Sequence, residues 1–278
     1  MTFAVGDRVG HPARPEWGPG EILAVSGGSK FTIYFALTGQ KLLKNVALVR
    51  LTGAESSHPL LENRLRSGAK TRTIVQLKES FLRQFPGGFE DPRYVKFERA
   101  YKFAASELLK RTLSSEELNL LLRAGDHAEV CRRALAVISR TNLVFPNEQM
   151  ALRDGITGEG AAQFSRALAD LLYGSSSSQD RFERFSKMLE IVGAAKWTIA
   201  TYFRFLAELE TQMFLKPEAT KAAAEACGFE LNYRQDLNWR TYETLLAFSA
   251  FLKEAIEDLR PGDMIDLQGF IWKTRPRD

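Results

Sequence analysis

The hydrophobic period of this chain changes once, near residue 72, and that change limits the fold more than any other feature. Up to about residue 52 the apolar residues alternate or gather in short β-branched runs: VGDRV, GEILAVS, KFTIYFAL, QKLLKNVALV and ALVRL. Turn-forming clusters, HPARPEWGPG, SGGS and TGQ, separate them. Five short strands in about fifty residues predict a small, strongly bent barrel rather than an open sheet. Gly18 and Gly20 are expected to supply left-handed backbone. Trp17 then either covers the barrel end or stands out as a recognition aromatic.

From residue 72 the spacing is helical. DPRYVKFERAYKFAASELLKR opens with Asp91 as N-cap and Pro92 at the first helical position. SSEELNLLLRAG begins with a Ser-x-x-Glu capping signal and stops at Gly125. Further helical patterns follow, among them GEGAAQFSRALADLLYG, SQDRFERFSKMLEIVG, KWTIATYFRFLAEL, KPEATKAAAEACG and NWRTYETLLAFSAFLKEAIEDL. The expected architecture is a small all-β barrel over 1–52, a polar linker over 53–71 and a larger all-α domain over 72–278. No fixed-period repeat favours a solenoid.

Composition removes several classes of function. Hydrophobic residues at 45% and charged residues at 26% are ordinary globular usage. Cys131 and Cys227 are too few for a disulfide framework or a multi-Cys zinc site, and each reads as a small buried residue. His11, His58 and His127 have no HxxxH or CxxC companion, so no metal and no cofactor is expected. MTFAVGDRVG lacks a signal-peptide pattern, and no apolar run approaches the roughly 18–20 residues of a membrane span, so a cytoplasmic protein without membrane contact is expected. GxxxxGK[ST] does not occur, which argues against a nucleotide-driven motor. GITGEGAAQ and SGGSK read as loops rather than parts of a Ser-His-Asp site. The net charge of +4 permits a nucleic-acid partner without demanding one. The barrel segment is locally basic, with Arg8, Arg14, Lys30, Lys41, Lys44 and Arg50 against Asp7, Glu16 and Glu21.

GDRVGHPARPEWGPGEILAV resembles the Tudor-like or SH3-like barrels of the CarD type and of some helicase tails, through Gly6, Asp7, Val9, His11, Trp17, Gly18 and Gly20. The resemblance spans about fifty residues and implies a module that binds DNA or protein.

Residues 188–228, MLEIVGAAKWTIATYFRFLAELETQMFLKPEATKAAAEACG, carry the chemical expectation. One apolar helix ends at Val192-Gly193, and a second begins within three residues at Lys196-Trp197-Thr198. In such a helix-hairpin-helix the first backbone N–H groups of the second helix face a DNA phosphate. Gly193, Ala195, Lys196, Trp197, Thr198 and Lys216 are therefore candidate DNA-binding residues. The outline resembles the helix-hairpin-helix DNA glycosylase superfamily, especially its alkyladenine branch, in which Gly-x-x-Trp-Thr-Ala opens the second helix. There a catalytic carboxylate follows a Phe-Leu-Pro run; here Phe214-Leu215-Lys216-Pro217-Glu218 stands in that place, and the resemblance assigns the role to Glu218. The chain departs from the pattern in having Glu for Asp, and Gly193-Ala194-Ala195 where Pro-Gly-x-Gly is usual. Trp197 occupies the slot held by Lys in members that also nick the strand, which implies a monofunctional enzyme. The ordinary account of Pro217-Glu218 is a first helical turn with Glu favourable to the dipole.

Two further clusters qualify as walls of a base pocket, where a flipped base needs stacking and edge-reading groups. Asn142, Phe145, Asn147 and Glu148 lie on one interhelical loop, although Asn147 also suits an N-cap. Asp266, Gln268 and Trp272 lie in the apolar C-terminal run, where Asp266 is the second candidate for a catalytic carboxylate. The expected function is a DNA glycosylase that flips a damaged or modified base and hydrolyses its N-glycosidic bond, in repair or in antiviral defence. The alternatives are a non-catalytic DNA- or protein-binding module and a helical interaction protein with an accidental hairpin.

Overall fold

The structure is a computed structural model that describes residues 3–26, 30–44, 46–64 and 74–275. Strands β1 (Arg8–Gly10), β2 (Gly20–Ser26), β3 (Lys30–Phe35), β4 (Gly39–Lys44) and β5 (Val49–Arg50) form one antiparallel sheet in the order β4-β3-β2-β1-β5. Its size and order fit a small Tudor- or SH3-like barrel. Alternation places Val9, Ile22, Phe31, Ile33 and Phe35 on one face, where they make a separate small core. The register shifts between Ile22 and Ala24, a bulge that strengthens local twist. Gly18 has φ +70, as expected of left-handed backbone. Gly20 is required for another reason: a Cβ there would lie 2.8 Å from Ile33 and Phe35. Trp17 packs edge-on against Phe35 and His11 with Lys41 above its ring, so it is half-buried at the barrel end.

The stretch expected to be a linker is structured where it is described; residues 65–71 of it lie outside the described residues. Helix α1 (Pro59–Glu62) buries Leu60 and Leu61 against the main core. The ring of buried His58 accepts from the Leu60 N–H at 3.1 Å and pairs with Glu254 at 2.9 Å. Arg64 then ties sheet to helices: it sits over the Tyr34 ring, pairs with Glu21 at 3.3 Å and forms a β-bridge with Phe229.

The remainder is helical: α2 (Ile74–Gln84), α3 (Pro92–Tyr94), α4 (Ala100–Thr112), α5 (Ser115–Ala124), α6 (His127–Ile138), α7 (Pro146–Gly155), α8 (Glu159–Tyr173), α9 (Ser178–Ile191), α10 (Trp197–Ala200), α11 (Tyr202–Ala207), α12 (Pro217–Cys227), α13 (Trp239–Ala255) and α14 (Met264–Thr274). The cap residues read from sequence act as such. Asp91 accepts from the Arg93 N–H and Ser114 from the Glu117 N–H, and Gly125 is left-handed. Helix α7, by contrast, starts one residue before Asn147: Phe145 is its N-cap and Pro146 its first residue. The single helix expected over KWTIATYFRFLAEL breaks at Thr201. The Thr201 hydroxyl donates to the Trp197 carbonyl at 2.7 Å and accepts from the Leu215 N–H at 3.0 Å, side-chain bonds that compete with the helical ladder.

Much of the phenylalanine content fills the helical core: Phe81, Phe164, Phe182, Phe185, Phe203 and Phe205 are fully buried. Phe182 stacks on Tyr242 with ring centroids 4.6 Å apart, an arrangement that adds about 1 kcal/mol beyond area burial. Between α3 and α4 a π-helical turn, Val95–Arg99, carries Glu98 and Arg99 inward toward α14. No helix among the described residues is long and apolar enough to cross a membrane.

Candidate functional site

A cleft of about 850 Å³ opens where the loop before α7, the start of α12 and the end of α14 converge. Phe145, Glu148, Thr198, Lys216, Glu218 and Trp272 line it together, although they come from four separate regions of the chain. Lys216 occupies its middle. As the residue before Pro217 it is held extended, at φ −103 and ψ 99, and serves as N-cap of α12. Its Nζ donates to the Leu143 carbonyl at 2.9 Å, lies 3.4 Å from the Phe145 ring centroid and 5.9 Å from that of Trp272. Burial pushes the Lys216 ammonium below its ordinary pKa; Glu148 opposes the shift and Arg275 adds to it.

Glu148 is the third residue of α7, and its carboxylate turns back to accept the Phe145 N–H at 3.0 Å. The same oxygen accepts from the Thr198 hydroxyl at 2.8 Å. The capping contact thus pins the cleft loop to the hairpin. Phe145 is 51% exposed, and Trp272 is half-buried with the Arg275 guanidinium 3.4 Å above its ring. Glu218 stands at the rim with its side chain 88% exposed and paired to Lys221 at 2.7 Å. It occupies the first turn of α12, as the helix-start account expects.

The hairpin itself is present. Helix α9 ends at Ile191 with Val192 as its C-cap, Gly193 is left-handed at φ +69, and α10 begins at Trp197. Gly193 and Lys196 are exposed and Ala195 is half-buried. Trp197 and Thr198 are not surface groups. Trp197 is 3% exposed, stacks near Phe182 and donates its indole N–H to the Arg234 carbonyl at 2.8 Å; Thr198 is buried against Glu148. Their side chains anchor the hairpin, and only their backbone amides begin the helix. A smaller pocket adjoining the cleft, about 370 Å³, runs past Lys196 and Trp197 toward Gln235 and Asp236.

Asp266 lies elsewhere. It accepts from the Tyr94 hydroxyl at 3.0 Å, from Arg99 at 2.8 Å and from the Gly262 N–H at 2.8 Å, deep in the protein. Burial lifts its carboxyl above the ordinary value although Arg99 stands beside it. These bonds tie α14 to the π-turn, and Asp266 does not line the cleft. Asn147 is exposed and does not line the cleft.

Asn142 and Gln268 instead line a small chamber of about 40 Å³ that shares Lys216 and Trp272 with the cleft. Its remaining walls include Tyr101, whose hydroxyl donates to Asn142 at 3.0 Å, and Lys102. Sequence reasoning missed Lys102, Tyr233, Lys221 and Arg275. Lys102 was within reach: it shares the 3–4 spacing of Ala105, Ser106 and Leu109, which form the buried face of α4. Arg275 follows Trp272 by three residues at the end of α14, whereas Tyr233 lies in a loop without periodic signal. No group of three or more His, Cys, Asp or Glu placed to hold a metal ion occurs among the described residues.

Residues 3–53 match a family described as protein of unknown function (DUF3553). No curated protein and no solved structure matches the chain. The family match covers the sheet and leaves the helical part, with the cleft, outside it.

Proposed function

We propose that the helical domain is a DNA glycosylase that admits a flipped base to the cleft and hydrolyses its N-glycosidic bond, in repair or in defence against DNA carrying modified bases. One observation carries this reading: an aromatic, cationic cleft lies directly beside an exposed hairpin turn, and Glu148 bonds the two together. Phe145 and Trp272 offer faces on which a base stacks. Lys196 and the amides that open α10 suit a phosphate of the same strand.

Glu218 is the candidate catalytic carboxylate. Bond cleavage leaves the electron pair on the departing base nitrogen and positive charge on the sugar. The carboxylate stabilises that charge and takes a proton from the water whose oxygen bonds the anomeric carbon. Glu148, bonded to Thr198 and half-buried, holds the loop rather than the reacting atoms. The barrel, through its basic strands and its likeness to CarD-type modules, would add a contact to DNA or to a DNA-bound protein.

A second reading is favoured by the exposure of Glu218 and its pairing with Lys221. In it the same cleft and hairpin bind DNA without chemistry. Duplexes carrying different modified bases, incubated with the protein and then treated with alkali, separate the two. Strand breaks that disappear in Glu218→Gln support the enzyme. No breaks with any substrate, alongside salt-sensitive binding, leave the binding module.

A further inference from the structure

Two residues that line the chamber behind Lys216 and Trp272 each carry a buried polar atom without a hydrogen-bond partner. Lys102 Nζ, on a residue 1% exposed, lies 3.6 Å from Glu98 Oε2 and makes no hydrogen bond. Gln268 Oε1, on a residue 4% exposed, also lacks a hydrogen-bond partner. Burying such groups unpaired costs free energy that folding alone does not return. Glu98, whose other oxygen Lys273 holds at 2.6 Å, balances the lysine's charge across 3.6 Å but leaves its N–H groups without a hydrogen bond. Two residues, one with a donor and one with an acceptor that no hydrogen bond satisfies, therefore line a space of about 40 Å³, too small for a ring but large enough for one or two atoms at a ring's edge.

We propose that this chamber reads the polar edge of the base that enters the cleft, with Gln268 accepting from a ring N–H and Lys102 donating to the neighbouring carbonyl oxygen, so that the site selects a lactam-type edge. The inference rests on the reading of the cleft as a base pocket. An exocyclic oxygen projects beyond the ring and reaches Lys102, where an ammonium-to-carbonyl bond is charge-assisted. The ring N–H is set back and meets Gln268. An amidine-type edge puts an amino group against the ammonium, donor to donor; the Gln268 carboxamide, which no hydrogen bond fixes, can turn to meet either kind of ring nitrogen, so the choice between edges falls to Lys102. Lys216 and Trp272 form the shared wall, so a base stacked in the cleft already has its edge at the chamber mouth.

The test uses the full chain and two duplexes that differ at one position, uracil or cytosine, each opposite an abasic site so that no base pair opposes flipping. Affinity is measured by fluorescence anisotropy. The expected result is binding of the uracil duplex about tenfold tighter than the cytosine duplex, the size of one charge-assisted hydrogen bond. Lys102→Met should erase that preference while leaving a common, salt-dependent affinity for both duplexes, and Gln268→Leu should weaken both duplexes while keeping the preference. Equal affinities in the wild type, a preference for cytosine, or a uracil preference surviving in Lys102→Met would overturn the assignment, the last pointing to a trapped water only. Base release without the uracil preference sinks the chamber and leaves the glycosylase. The preference without base release does the reverse.

Discussion

The Lys216 ammonium lies 3.4 Å from the centre of the Phe145 ring, and the two residues are 71 positions apart. The ring is half-exposed while the ammonium is half-buried and bonded to the Leu143 carbonyl, so the pair forms the floor of an open cleft rather than part of the core. Phe145→Ala removes an aromatic face without opening an internal cavity. We expect a stability loss below about 1 kcal/mol, against a loss of about 1–3 kcal/mol in binding to DNA with an unpaired base. Urea unfolding and anisotropy on the same protein preparation separate the two effects.

Asp266→Asn should act on folding. The substitution leaves Arg99 facing Asp263 alone and weakens a buried, hydrogen-bonded network, which costs about 3 kcal/mol. The denaturation midpoint should fall clearly, while any base-release rate per folded molecule stays near that of the wild type. A fully stable but inactive Asp266→Asn would restore this residue as a candidate catalyst.

Burial lowers the Lys102 pKa from 10.5 to about 8. Above pH 8 the folded chain has released this proton while the unfolded chain still binds it, so stability rises with pH until the ordinary value is reached. The gain by pH 10 is on the order of 2 kcal/mol. Beyond pH 10 the buried Tyr94, Tyr202 and Tyr242, whose hydroxyls burial raises, hold their protons longer than the unfolded chain and reverse the slope. Unfolding midpoints at pH 7.5 and 9.5 should therefore differ more in the wild type than in Lys102→Met. Equal differences would show that Lys102 is not the titrating group.

Lys196 is exposed at the hairpin turn, so its contribution to duplex binding should be electrostatic. Lys196→Gln should reduce the slope of log affinity against log salt by about 1 and weaken all duplexes alike. An unchanged slope would remove the hairpin from the DNA-facing surface.

The order of strands and helices was legible in the sequence, because hydrophobic period, caps and turn residues act over one or two turns of backbone. Asp91, Ser114 and Gly125 begin or end helices where their chemistry dictates. Local signals failed where a distant partner intervened. Thr201 breaks its helix by bonding Leu215, and Asn147 yields the N-cap position to the residue before Pro146. The polar residues of the C-terminal run are buried as expected, but only Asp266 is hydrogen-bonded as expected, to Tyr94 and Arg99, whereas the Gln268 oxygen has no hydrogen-bond partner.

The sequence by itself determined a small β domain followed by a larger helical one, and it pointed to the hairpin turn at Gly193. Only the tertiary structure decided which side chains share a surface. It gathered Phe145, Lys216 and Trp272 into one cleft, sent Trp197 and Asp266 into the interior, and exposed Lys102 and Gln268 to a common chamber. The reason is physical: backbone preference is decided among near neighbours, whereas the packing of α4, α7, α12 and α14 depends on complementary surfaces whose residues are far apart along the chain.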